Sequence, residues 1–349
     1  MTGHRNLTLI SLLSLGAAGC TTTATRPAFS PAPTMTVQAR GETQAVGTAN
    51  ADAADDPAIW RNAADPAASL IVGTDKKAGL YVYDLQGRQR SFIDAGRVNN
   101  VDLRDMGPAG IIVAASDRND PLNARLALFR LDPATATLSP LGKIPVGTGE
   151  AYGVCLYREG DALFAFNVIK DGTIRQVALT LGDGPAGTVV RTMKLATQSE
   201  GCATDERTHR LYVAEEDVGL WRFDASPNGD GAPVKMASAD GYQIVADTEG
   251  VTIAPEGPAN GGYLLVSSQG DNAYAVYRLS DDAYVGRFRV APGAVGSTEE
   301  TDGIDIAVGD FGPGYPGGLF VVQDGQNMPS AQNFKLIDWA GIKAALGLQ

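Results

Sequence analysis

Six times along the chain the same two apolar runs return in the same order. The runs SLIVGT (69–74), GIIVAAS (110–116), ALFAFN (162–167), RLYVAE (210–215), GYLLVSS (262–268) and GGLFVVQ (317–323) are each followed by a second. The partners are GLYVYDL (79–85), RLALFRL (125–131), TIRQVAL (173–179), GLWRFDA (219–225), AYAVYRL (273–279) and NFKLIDW (333–339). Short apolar runs with alternating positions, bounded by turn residues, read as β-strands. A repeat of about 50 residues marks a propeller or a solenoid. Ahead of each pair lies a third segment: DPAIW (56–60), NVDLR (100–104), YGVCL (152–156), EGCATD (200–205), EGVTIA (249–254) and DGIDIA (302–307). The small residues there suit the crowded inner strand of a blade. Outer strands are expected at RSFID, TLSPLGKI, VVRTMKL and YVGRFRV, with a weaker one near VKMAS. The sixth unit lacks an outer strand, because residues 340–348 read as a short helix. Residues 35–40 then supply that strand and leave no open edge. The expected fold is all-β: a six-bladed β-propeller over residues 36–349, closed by an N-terminal strand completing the last blade.

The segment before it is different. His4 and Arg5 precede the apolar run Leu7 to Leu15, and small residues lead to Cys20. This reads as an export signal over residues 1–20. The run Gly16-Ala17-Ala18-Gly19-Cys20 resembles a bacterial lipoprotein cleavage box, with Ala17 where leucine is usual. Lipidation of Cys20 would make the protein an outer-membrane or periplasmic lipoprotein; otherwise it is secreted. Residues 21–35, rich in Thr, Pro and Ala, read as a tether. Only Cys155 and Cys202 then remain. Each lies in an apolar segment and reads as a buried free thiol, with a disulfide the alternative in an exported protein. A monomer is expected.

Charge narrows the partners. The chain holds 40 acidic and 28 basic residues, a formal net charge of −12, which argues against nucleic acid. A polyanion remains possible if bound cations invert the local field. In a propeller all inner strands begin at one mouth of the central channel, and four of the six inner segments carry acids there: Asp55 and Asp56, Glu200, Asp247 and Glu249, and Asp302. Proline at 57 suits the first residue of a strand and leaves Asp52, Asp55 and Asp56 in the loop before it. Singly, an acid before glycine is an ordinary turn former; at equivalent places in successive repeats, the set reads as a calcium site made of hard oxygen ligands. Lys76 and Lys77, Arg118 and Lys170 follow the second strands of consecutive units and should share the same rim. Singly these are ordinary solvated charges; together they read as a phosphate site. Glu216 ends a second strand, and its neighbour Glu215 should point to the opposite face.

Rival phosphatase chemistries are poorly served. The histidines are His4, in the signal, and His209, in a hairpin turn; Cys202 is one residue short of the spacing to Arg207 that a cysteine phosphatase loop needs; no GxxxxGK[ST] is present.

The stretch DAADDPAIW (52–60) resembles the signature of the β-propeller phytases, calcium-dependent phosphatases of inositol hexakisphosphate. The likeness continues in order through DKKAGLYVY, NNVDLR, AASDR, EAYGV, QSEGCATD, LYVAEED, DTEGVTI, YLLVSSQGDN, TDGID and GLFVVQDGQN, over residues 40–340. The resemblance implies several calcium ions and hydrolysis of phytate phosphate monoesters by direct attack of a calcium-activated water. It implies catalytic roles for Asp55, Glu200, Glu216, Asp247 and Glu249. It implies metal ligation by Glu42, Asp55, Asp56, Pro57, Val101, Glu200, Glu216, Asp247, Glu249, Gln269 and Asp302, and phosphate binding by Lys76, Lys77, Arg118, Tyr152 and Lys170. Asn99 and Asn100 also match. One departure stands out: relatives carry an aspartate six residues before the Asp of TDGID, where this chain has Gly296. Either Glu299 or Glu300 replaces it, or a calcium there is held with fewer anions. Two other readings stay open, a calcium-containing propeller lactonase or esterase and a non-catalytic calcium-stabilised binding propeller.

Overall fold

The computed structural model describes Met1, residues 30–182 and residues 184–349. Residues 2–20 of the export segment therefore lie outside the described residues, as does most of the tether.

The repeat folds into six antiparallel sheets. Blade 1 runs outward through Ala54–Trp60, Leu70–Asp75, Gly79–Asp84 and Gln89–Asp94. The inner strands of blades 2 to 6 are Val98–Asp105, Ala151–Glu159, Ser199–Asp205, Thr248–Pro255 and Ile304–Val308. Each packs on the next, and the last returns to Ala54–Trp60 to complete a six-bladed propeller. The expected strand near VKMAS is present as Val234–Ser238, and the expected helix as Trp339–Leu346.

Closure differs in detail from the expectation. Gly41–Glu42 pairs antiparallel with Asn333–Asp338 as the outer strand of blade 6. Thr34–Gln38, just before it, adds in parallel to Ala283–Ala291 and becomes a fifth strand of blade 5. Its Val37 faces Val290 and packs into the apolar layer between blades 5 and 6. The N-terminal stretch thus covers two blades.

The apolar interior is divided among layers between neighbouring blades. Val72, Val82 and Leu103, Val113 fill one such layer, and Tyr83, Ile71 and Phe334, Leu336 fill another. Strands buried on both faces explain why the second strand of each unit reads as a continuous apolar run.

In five of the six blades the pairing of the inner strand slips near its start: between Ala54 and Pro57, Val98 and Val101, Ala151 and Gly153, Ser199 and Cys202, and Thr248 and Val251. These irregularities span Asp55 and Asp56, Asn99 and Asn100, Tyr152, Glu200 and Glu249. A bulge releases a residue from the ladder and re-aims its side chain, so the fold itself turns the matched residues toward the channel mouth.

Glycine lets the inner strands close ranks there. A Cβ on Gly201 would stand 2.4 Å from Glu249 O, and one on Gly153 would stand 2.0 Å from Glu200 O. Backbone cannot yield as a flexible side chain can. Gly201→Ala is expected to destabilise the fold by about 3 kcal/mol, at the upper end of ordinary overpacking. A denaturant midpoint equal to the parent's would refute this tight approach.

Cys155 and Cys202 correct the free-thiol expectation. They occupy adjacent inner strands with Cα atoms 5.8 Å apart and form a disulfide between blades 3 and 4. The physical reason is the ring, which brings residues 47 positions apart within bridging distance.

Further down the channel, side chains tie inner strands together. Asp102 Oδ2 accepts from Leu156 N–H at 2.8 Å, and Asp305 Oδ2 accepts from Ile59 N–H at 2.8 Å. Arg104 joins Asp102 to Glu206 at 2.8 Å each. Ile59, Asp102, Arg104, Glu206 and Asp305 line a cavity of about 410 Å³ that the acids of the other mouth do not share, except Asp56.

Candidate active site

Glu200 and Glu249 lie on two inner strands and Glu216 in the turn after Arg210–Glu215, yet one carboxylate oxygen of each lies within 4.8 Å of the other two. All three are buried. Glu216 Oε1, Glu249 Oε2 and Asp55 Oδ2 are buried without a hydrogen-bond partner in the described structure. An ionised carboxylate left so is costly unless a cation meets it. Burial first, and then the neighbouring Asp55 and Asp302, push the Glu200 carboxyl well above its usual range; burial and Glu200 do the same to Glu249. Glu216 is pushed up to about 7, chiefly by burial and against the hydrogen bond from Gln198, with Asp247 adding to the rise. Hard, convergent and anionic, these donors suit a divalent ion of the calcium type.

Asp302 reaches the same mouth from blade 6. Its pKa is raised to about 7 by burial, against the pull of Lys76. Gln269 Nε2 donates to Asp302 Oδ1 at 2.7 Å, and Gln269 N–H donates to Asp247 O at 3.0 Å. Asp247 itself is half-buried beside this group. Asp56 is turned further in: its Oδ2 accepts from Val101 N–H at 3.0 Å, tying blade 1 to blade 2, and Pro57 follows it past the bulge. Burial and the nearby Asp55 raise the Asp56 pKa.

The cations divide in two. Lys76 is buried among the acids, with its Nζ 2.8 Å from Asp52, 3.1 Å from Asp55 and 2.8 Å from Asp302. Burial alone would lower its pKa; Asp55, Asp302 and Asp52 outweigh this and raise it. Arg118 and Lys170 form a second group around Tyr152, lying 5.2 Å and 4.8 Å from the ring centroid. Arg118 is aimed by Glu150, whose Oε1 accepts from Nε at 2.8 Å, and by Asn99 Oδ1. Asn99 Nδ2 in turn donates to Glu200 Oε1 at 2.7 Å, so one amide joins the two groups. Lys77 is exposed on the rim. Burial and the charges of Glu200 and Glu249 raise the Tyr152 pKa, keeping its hydroxyl protonated.

The strand alternation expected at Glu215 holds. Its Oε1 accepts from Thr197 N–H at 2.7 Å and its Oε2 from Trp221 Nε1 at 2.8 Å, away from Glu216. Glu42 is not brought to the Glu200 group. It meets Lys335 at 2.6 Å instead. Sequence reasoning overlooked Glu150 as the orienting partner of Arg118, although it opens the matched segment EAYGV.

The phytase family profile matches residues 5–349. The chain belongs to the phytase family. A related 3-phytase of Bacillus subtilis (strain 168) is 39% identical over 333 residues, covering 89% of this chain and 85% of that protein. Among solved structures, the chain is similar to a chain of the crystal structure of BBS1N in complex with ARL6DN, soaked with mercury. That match has TM-score 0.47 and 10% identity, over 76% of this chain and 74% of the other. It is similar also to a chain of the mitotic checkpoint complex, with TM-score 0.48 and 12% identity, over 93% and 87%.

In this phytase-family chain the rival nucleophiles are out of place. His209 sits at the opposite end of blade 4 from Glu200, against Tyr157 and Glu159. Cys202 is tied up in the disulfide.

Proposed function

We propose that this protein hydrolyses phosphate monoesters of phytate, with calcium ions held by Asp55, Glu200, Glu216, Asp247, Glu249 and Asp302. The observation that carries the reading is the convergence of Glu200, Glu216 and Glu249 within 4.8 Å beside the Arg118, Lys170 and Tyr152 group. A polyphosphorylated ligand needs both: cations for its oxygens, and an acid cluster that divalent ions turn positive. Bound calcium supplies Lewis-acid stabilisation of phosphoryl oxygens and lowers the pKa of a water at the site.

The chain's own residues do the positioning. Arg118, held by Glu150 and Asn99, presents its guanidinium to phosphate as a pre-oriented fork. Lys170 and Lys77 add point charges on the same rim, and protonated Tyr152 donates its O–H. Lys76 neutralises Asp55 and Asp302, which keeps the acid cluster compact.

Phosphate release from phytate, measured beside hydrolysis of a lactone, separates this function from a lactonase or esterase. Arg118→Ala is expected to raise KM and to lower kcat/KM about 100-fold, because a contact to developing phosphoryl charge is lost. Its melting temperature should fall only modestly, because Glu150 and Asn99 each lose one partner while the blade packing is untouched. Lactone turnover without phosphate release, or an Arg118→Ala variant with parental kinetics, would overturn the proposal.

Export belongs to the same proposal. The Cys155–Cys202 disulfide supports an oxidising compartment, and lipidation at Cys20 would leave the propeller as a monomer on a membrane tether, with phytate its small-molecule partner. Mass spectrometry of the mature N terminus checks the anchor.

A further inference from the structure

Arg287 lies in Ala283–Ala291, the last antiparallel strand of blade 5, and is fully buried. The N-terminal strand Thr34–Gln38 pairs alongside it, with Thr34 directly opposite. Its guanidinium grips one turn and one loop. Nη2 donates to both carboxylate oxygens of Asp271, at 2.5 and 2.7 Å, and to Ser268 Oγ at 3.3 Å. Nη1 donates to Tyr242 O at 3.1 Å, an oxygen that also accepts from Ala32 N–H at 2.8 Å. A buried ion pair adds little stability over an apolar pair of similar size. This one fixes geometry.

Ser268 and Asp271 bracket the short 3₁₀ turn Gln269–Asp271 that follows the second strand of blade 5. Ser268 Oγ donates to Asp271 Oδ1 at 2.7 Å and accepts from Val245 N–H at 2.8 Å. Gly270 N–H donates to Val245 O at 3.3 Å, and Gln269 N–H to Asp247 O at 3.0 Å. A Cβ on Gly270 would stand 1.9 Å from Ala246 O, so turn and loop meet backbone to backbone. Tyr277 adds its O–H to Gln243 Oε1 at 3.1 Å. Two side chains reach the acid mouth from this joint. Asp247 stands close enough to act on the charges of Glu216 and Glu249, and Gln269 Nε2 donates to Asp302 Oδ1 at 2.7 Å.

We infer that Arg287 is a positioning residue for the acid mouth: by clamping Asp271, Ser268 and Tyr242 O together it sets the Gln269–Asp271 turn against residues 242–247, and so holds Asp247 and Gln269 where a divalent ion can meet them. The inference rests on the calcium role proposed above for Asp247. Arginine suits the task, because two nitrogens on one rigid plane keep a turn and a loop at a fixed separation, whereas a lysine offers a single nitrogen on a flexible stem. The clamp acts through its partners and not as a ligand.

Two variants separate positioning from stability. Ser268→Ala cuts the link between the clamp and Val245. Arg287→Met combined with Asp271→Asn removes both charges and leaves neither unpaired. In each, calcium titration calorimetry should show the weakest-binding ion held about 10-fold less tightly than in the parent, the scale of one lost hydrogen bond. Turnover of phytate at saturating calcium should return to the parental kcat. Hydrogen exchange in chelator should show protection lost at Val245, Gln269 and Gly270 and kept over Ser199–Asp205 and Arg210–Glu215. Parental calcium affinity in either folded variant would overturn the inference. So would protection lost evenly across blades 4 and 5, the mark of a pair that serves the fold alone. If the charge-free variant does not fold, Ser268→Ala decides. A parent that binds no calcium would defeat the proposed catalytic reading, and the exchange pattern in Ser268→Ala would then decide whether the clamp holds the loop.

Discussion

Chelation of calcium is expected to stop phosphate release and to lower the melting temperature, and the loss of stability should grow with pH. Glu200, Glu216 and Glu249 bring oxygens within 4.8 Å. At an effective dielectric of about 20, each ionised pair at that distance repels by about 3.5 kcal/mol. Without metal the fold takes up protons: burial first, and then the neighbouring acids, push Glu216 and Asp302 up to about 7 and raise Glu200 and Glu249 as well. A carboxyl whose folded pKa lies above its unfolded value makes the folded state bind more protons. Stability of the calcium-free protein therefore falls as pH rises from about 4.5, the ordinary glutamate range, through about 7. The calcium-free protein should melt higher at pH 5.5 than at pH 8, and calcium should remove most of that difference. Melting curves at the two pH values, each with calcium and with chelator, check this. A melting temperature at pH 8 that ignores the chelator would rule out the acid mouth as a metal site.

Much of this architecture was legible because it repeats. Apolar runs such as GIIVAAS and GYLLVSS declare strands buried on both faces, and their spacing declares blades. Acids at equivalent repeat positions could be placed at one mouth without coordinates. What the sequence concealed depends on contacts between repeats. Thr34–Gln38 carries only Val37 as a buried anchor of its own, so nothing local says that it lies in parallel on blade 5. The bulges at Asp55, Asn99, Tyr152, Glu200 and Glu249 leave no local mark except the small residues around them. Lys335, between Phe334 and Leu336, reads as the polar face of an alternating strand. Its burial follows from the cage that Glu42, Asp324, Asn327 and Asn333 build around it, residues separated from it by between 2 and 293 positions. Likewise the disulfide needs the ring before its two halves can meet.

Glu200→Gln separates chemistry from stability most cleanly. The substitution keeps the shape and the acceptor oxygen that Asn99 Nδ2 reaches at 2.7 Å, while it removes the charge. Turnover of phytate should fall by about 100-fold or more, the usual loss when one electrostatic contact to a transition state is removed. Asp55→Asn should fall similarly and should also loosen Lys76, which loses one of its three anionic partners. Stability should move the other way for Glu200→Gln. Burial and neighbouring acids oppose ionisation of Glu200, so in chelator at pH 8 the neutral amide should melt higher than the parent. Glu215→Gln, one residue before the matched Glu216, provides the contrast. Its carboxylate holds Thr197 and Trp221, so the charge-assisted bonds weaken by about 1 kcal/mol while phosphate release continues at the parental rate. Steady-state kinetics and melting curves of the three variants settle the assignment. Turnover within a factor of two of the parent in both Glu200→Gln and Asp55→Asn would mean that the acids serve the fold alone, and that hydrolysis occurs elsewhere on the propeller.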